Sequence, residues 1–108
     1  MTGIERIAAE RQRQIEVEGW TPEHDDRHAP GELATAALCY ASIASLQLAG
    51  VPVDLDRIPN NGGICWPWSG KWWKPSPDPS RNIEKAGALL AAERDRLARV
   101  KEDRHDQD

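Results

Sequence analysis

Between residues 30 and 49 the chain is apolar or small on nearly every side. Leu33, Ala34, Ala36, Ala37, Leu38, Tyr40, Ala41, Ile43, Ala44, Leu46 and Leu48 are interrupted only by Thr, Cys, Ser and Gln. A helix that is hydrophobic all round has to be covered all round. Two further helices in a chain of 108 residues hardly suffice for that. The segment therefore predicts a homo-oligomer, with helix 30–49 at or near the interface. Its Thr, Ser and Gln residues and its charged flank mark a buried helix rather than a membrane span, so no membrane partner is expected.

The flanking segments carry their own helix signals. Thr2-Gly3-Ile4-Glu5 fits a capping box, in which the Thr and Glu side chains each satisfy a free backbone N–H. Ile4, Ile7, Ala8, Arg11 and Ile15 follow at helical spacing, and Gly19 supplies the stop. Thr21-Pro22 is a turn or a new start, and Pro30 suits the first position of the next helix. Asp78-Pro79 repeats the start signal ahead of Ile83, Ala86, Gly87, Leu90, Leu97 and Val100, which share one side of a last helix ending near Lys101. Residues 50–79 form a long Pro- and Gly-rich connection with an Asn60-Asn61-Gly62-Gly63 turn. A connection of that length is functional or disordered, and Trp66, Trp68, Trp72 and Trp73 argue for order. The expected fold is all-α: a small bundle of three main helices with a long ordered Trp/Pro/Gly-rich loop. Residues 1–101 make a single helical domain, and residues 102–108 an acidic tail expected to be disordered.

With 39% hydrophobic against 30% charged residues, general disorder is excluded. A net charge of -4 argues against nonspecific nucleic-acid binding, which needs clustered Lys and Arg. Two cysteines, Cys39 and Cys65, are too few for a stapled secreted domain and fit the reduced thiols of a cytoplasm. The charged N-terminal residues lack the apolar run of a signal peptide.

Ionisable chemistry concentrates in two places. Imidazole nitrogens and carboxylate oxygens of His24, Asp25, Asp26, His28 and Glu32 suit Zn²⁺ or Mn²⁺, or Mg²⁺ if only the oxygens bind. On a continuous helix His24, His28 and Glu32 would form one stripe, but Pro30 interrupts it. The alternative is that Asp25 and Asp26 cap a turn, with the histidines hydrogen-bonded nearby. In the second place, the indoles of Trp68, Trp72 and Trp73, joined by Trp20, can stack on flat rings such as nucleobases. Lys71, Lys74, Arg81 and Lys85 can meet phosphates, and Arg81 sits in a first helical turn that favours anions. The alternative here is that the tryptophans supply core bulk in a chain with no Phe and one Tyr.

Several segments together resemble a family of small bacteriophage and prophage proteins and domains. These are Glu10-Arg11-x-Arg13-Gln14, Glu18-Gly19-Trp20-Thr21, Glu23-His24-Asp25-Asp26-x-His28, Gly31-Glu32-Leu33-Ala34, Trp66-Pro67-Trp68, Trp72-Trp73-Lys74-Pro75, and the block 81–96 with Lys85-Ala86-Gly87 and Glu93. Some members look like modules joined to phage enzymes of deoxynucleotide metabolism, including helical nucleotide pyrophosphohydrolases. The resemblance implies phage origin, a helical fold and a role against host defences in the bacterial cytoplasm. Pyrophosphohydrolases of that type use paired E-x-x-E and E-x-x-D carboxylates to hold Mg²⁺. Here Glu93-Arg94-Asp95-Arg96 has Arg in place of the second Asp, and Glu84 has Gly87 three residues on. Three functions are therefore expected in this order. The first is capture of a phosphate-bearing nucleotide-type ligand, sequestering a host immune signal. The second is metal-dependent (deoxy)nucleotide pyrophosphate hydrolysis using Asp25, Asp26 and Glu32. The third is inhibition of a host protein through a contact patch.

Overall fold

The computed structural model of the chain describes residues 1–61 and 64–106. It is mostly helical, with three main helices: α1 (Gly3–Val17), α3 (Glu32–Leu48) and α4 (Pro79–Asp106). One further turn of helix, α2 (Pro22–Asp25), follows α1. The connection from α3 to α4 holds a minimal antiparallel pair, β1 (Asn60–Asn61) and β2 (Ile64–Cys65), in which Asn60 faces Cys65. It then passes through a 3₁₀ turn, Gly70–Trp72. Gly62 and Gly63, in the expected turn, lie outside the described residues, as do the last two residues of the expected tail. Helix α4 runs past its expected end near Lys101. No helix among the described residues is long and apolar enough to cross a membrane.

Local chemistry sets most boundaries. Thr2 Oγ1 accepts from the Glu5 N–H at 3.2 Å, and Glu5 Oε1 accepts from the Thr2 N–H at 2.9 Å, completing the capping box. Gly19, left-handed at φ 75°, ends the α1 segment and lets the Trp20 N–H return to the Gln14 carbonyl at 3.0 Å. Asp78 Oδ1 accepts from the Ser80 N–H at 2.9 Å and starts α4. Pro30 does not open α3 as expected. That helix begins two residues later, after a left-handed Gly31 at φ 89°. A Pro at the first position would leave Gly31 inside the helix, whereas here the Gly31 N–H reaches Glu93 Oε2 of α4 at 3.1 Å.

Helix α3 packs along α4 through small residues. Ala36, Ala37 and Ala44 of α3 and Ala86, Ala88 and Ala92 of α4 are buried, around Leu33, Ile43 and Leu89. Small side chains let the two backbones approach closely, so one chain covers more of α3 than its composition suggests. Leu38, Ala41 and Ser45 remain exposed on a single face. Beneath the connection, Tyr40 meets Trp73 (ring centroids 4.8 Å apart) and Trp66 (5.7 Å). Asn82, fully buried, accepts from the Ser76 N–H at 2.8 Å and donates to the Ser76 carbonyl and to Gln47 Oε1, tying the connection to α3 and α4. Buried Cys39, its thiol pushed up to about 11 by burial, is the inert core residue its sequence position suggests.

None of Ile4, Ile7, Ala8, Arg11 and Ile15, the helically spaced residues of α1, is fully buried. Its buried residues are Glu10 and Gln14, while Ile4 is 83% exposed. Glu10 faces Arg81 of α4 at 2.7 Å and is clasped by Arg13 through both carboxylate oxygens. Burial opposes the Glu10 charge, but the hydrogen bonds from Arg13 and Arg81 overcome it and hold the pKa down at about 2.

Candidate functional site

Thr21 begins α2 by accepting from the His24 N–H at 3.2 Å, and Pro22 fills the first helical position. This single turn aims Asp25 inward and leaves His24 half-buried. Arg11 of α1 fixes it twice, donating to Asp25 Oδ2 at 2.8 Å and to the Trp20 carbonyl at 3.1 Å. The chain then turns through a His28 N–H to Asp25 carbonyl bond of 3.1 Å, which brings His28 back beside His24. The two imidazoles meet edge to face, with centroids 4.9 Å apart.

From the opposite side the tryptophan connection lays Trp68 over His28, at 4.6 Å and 31° between planes. Trp20 meets the same indole edge-on at 6.0 Å. A cleft of about 290 Å³ lies between them, lined by His24, His28, Trp20, Trp68, Trp72, Ser69 and Glu18. That is near the small end of ligand pockets, with an aromatic wall and a few convergent polar groups. A larger hollow between α3, residues 52–60 and Ile64 is lined mainly by apolar groups such as Ile43, Leu46, Val53 and Ile64.

The electrostatics follow from burial. Burial lowers the His28 pKa below its ordinary value, and neighbouring His24 adds to the effect. His28 is therefore a neutral imidazole at neutral pH, able to stack or to bind a metal. Burial raises the Asp25 pKa, against the pull of Arg11. His24 Nδ1 and Trp68 Nε1 are buried with no hydrogen-bond partner among the described residues, a costly arrangement.

The sequence-derived residues divide. A ring nitrogen of His24, a ring nitrogen of His28 and a carboxylate oxygen of Asp25 lie within 4.8 Å of one another. Asp26 instead turns outward and pairs with Arg99 of α4 at 2.8 Å. Glu32 stays near, with Oε1 3.6 Å from His28 Nδ1, but it accepts the Ala29 N–H at 2.8 Å and lies outside that cluster. Trp20, Trp68 and Trp72 line the cleft, whereas Trp73 packs in the core against Tyr40. Lys71 and Lys74 stand over the Trp72 ring, 5.3 and 5.6 Å from its centroid, and Lys74 Nζ is 3.8 Å from Glu18. Arg81 and Lys85 are away from the cleft. Arg81 is held by Glu10 and Glu84, and Lys85 donates to the Lys74 carbonyl at 2.6 Å. Lys74 and Lys85 border an adjoining crevice of about 20 Å³, room for a water, which shares Glu18, Trp20 and Trp72 with the cleft.

Arg11, Glu18 and Ser69 were not foreseen as site residues. For Arg11 the signal was legible: an arginine in the apolar stripe of a helix needs a carboxylate partner. Compared with known protein families, curated proteins and solved structures, the chain matches none.

Proposed function

We propose that the chain is a binding protein for a phosphate-bearing, nucleotide-type ligand, whose flat ring enters the cleft between α2 and the tryptophan connection. The observation that carries this reading is the tilted stacking of His28 on Trp68, 31° between planes, in a cleft flanked by Trp20 and Trp72. Stacking on such rings is worth about 1–3 kcal/mol per base. Lys71 and Lys74 at the Trp72 rim add positive charge. Capture is preferred over turnover because the acidic groups scatter: Asp26 is engaged by Arg99 and Asp25 by Arg11. In the same proposal, which rests here on the segments that resemble phage proteins, the natural ligand is a host immune-signalling nucleotide sequestered in the cytoplasm of the infected bacterium. A homo-oligomer through the exposed face of α3 is part of the same proposal.

Calorimetry with nucleoside mono-, di- and triphosphates and cyclic oligonucleotides tests it. At least one is expected to bind, and Trp68→Ala to weaken it at least tenfold. Absence of binding across the panel refutes the reading. A second reading, metal-dependent hydrolysis of a (deoxy)nucleotide pyrophosphate bond, is favoured by the convergence of His24, Asp25 and His28. Release of pyrophosphate with Mn²⁺ would put that reading first.

A further inference from the structure

The floor of the cleft has a feature that ring stacking does not use. His24 and Asp25 leave α2 side by side, and His28 folds back onto them, so that one donor atom from each lies within 4.8 Å of the other two. Nothing among the described residues satisfies His24 Nδ1, which is buried and faces Asp25 Oδ1 across 4.0 Å. Arg11 occupies only Oδ2 of that carboxylate. The cleft lining itself contains a carboxylate, Glu18, and no lysine or arginine. A phosphate drawn to the floor would therefore meet no lysine or arginine of the lining, since Lys71 and Lys74 stand at the rim over Trp72 and Arg11 is taken up by Asp25.

We propose that His24, Asp25 and His28 hold a divalent transition ion of the zinc class, with a fourth coordination position open to the cleft for a phosphate oxygen. Two imidazoles and one carboxylate suit such an ion, and a site with three protein ligands keeps a position for an exogenous one. A tetrahedral set with bonds of about 2.0–2.1 Å has its ligand atoms about 3.3–3.5 Å apart. The widest donor separation, up to 4.8 Å, must then close by about 1.4 Å. His24, with its side chain 38% exposed, is the least buried of the three, while Asp25 is pinned by Arg11. Glu32, 3.6 Å from His28 Nδ1, is placed to orient that imidazole from outside, the usual arrangement behind a metal-bound histidine. Magnesium is disfavoured because only one of the three donors is an oxygen. The ion binds independently of the capture reading, and only its grip on phosphate rests on it.

The experiment uses the full chain stripped with a chelator and titrated with Co²⁺ alone, followed by its visible absorption, then with Zn²⁺ in competition. One Co²⁺ per chain is expected, displaced by Zn²⁺ and not by Mg²⁺. His24→Asn and His28→Asn are each expected to weaken binding at least tenfold, with circular dichroism unchanged. Added inorganic phosphate is expected to alter the Co²⁺ spectrum. Absence of Co²⁺ binding, or binding that persists unweakened in both variants, overturns the site. A spectrum indifferent to phosphate overturns the open position. Failure of every nucleotide in the calorimetric panel, with Co²⁺ still bound, removes the capture reading and leaves the metal site standing.

Discussion

Replacing Glu10 by Gln removes the charge that docks α1 onto α4. A pKa drawn from 4.5 to about 2 corresponds to about 3 kcal/mol at neutral pH. Both guanidiniums are partly solvated, with side chains 36% exposed, so about 2–3 kcal/mol is the expected loss after screening. For a domain of this size that lowers the melting temperature by about 10 °C. The sign of the pH dependence is fixed by the direction of the shift. A carboxylate with a depressed folded pKa stabilises fully above its unfolded value of 4.5, and that contribution fades as pH falls toward about 2. Urea unfolding followed by circular dichroism should therefore show a gap of about 2–3 kcal/mol between wild type and Glu10→Gln at pH 7, shrinking to less than half by about pH 3. A gap below about 1 kcal/mol at pH 7, or one unchanged at pH 3, would refute the assignment of Glu10 as the charged link between the helices.

Three further substitutions probe separate parts of the account. Arg11→Ala leaves Asp25 buried without its partner, and thermal melting should show a loss of about 3–5 kcal/mol; a loss near zero would mean that Arg11 does not anchor α2. Gly87→Ala gains helix propensity but places a Cβ 2.6 Å from Ile7 Cδ1, so chemical denaturation should show a net loss of about 1 kcal/mol or more, whereas a gain would mean that α1 does not pack at Gly87. Trp73→Ala should cost about 3–5 kcal/mol as a core deletion, while Trp72→Ala, half-exposed, should cost under about 1 kcal/mol and weaken ligand binding instead; equal stability losses would contradict the division between core and cleft indoles.

The parts legible in the sequence are those whose causes are local. The Thr2–Glu5 capping box, the Gly19 stop and the Asp78-Pro79 start each depend on a few neighbouring residues, and all three act as their chemistry dictates. The broken stripe of His24, His28 and Glu32 was also readable, because the Pro30 region cannot continue α2. Long-range pairings hid the rest. Helix α1 turns its polar side inward because Arg81, seventy-one residues away, meets Glu10, and the same pairing removes Arg81 from the phosphate-binding set. Asp26 left the metal set for a similar reason, drawn to Arg99 at the far end of α4. Which tryptophans face a ligand and which fill the core was not decidable from spacing. Trp72 and Trp73 are adjacent, yet the end of the 3₁₀ turn sends one to the surface and the other into the core against Tyr40.

The proposed function requires a flat, phosphate-bearing ligand to bind against Trp68 and His28. The chain has five tryptophans, and their indole N–H resonances in a ¹⁵N-labelled sample report each ring separately. Upon titration with a nucleotide that binds in calorimetry, the Trp68, Trp20 and Trp72 signals should shift, while those of core Trp66 and Trp73 move little. Shifts confined to Trp66 and Trp73, or a bound nucleotide that leaves Trp68 unmoved, would contradict the account and place the binding site elsewhere.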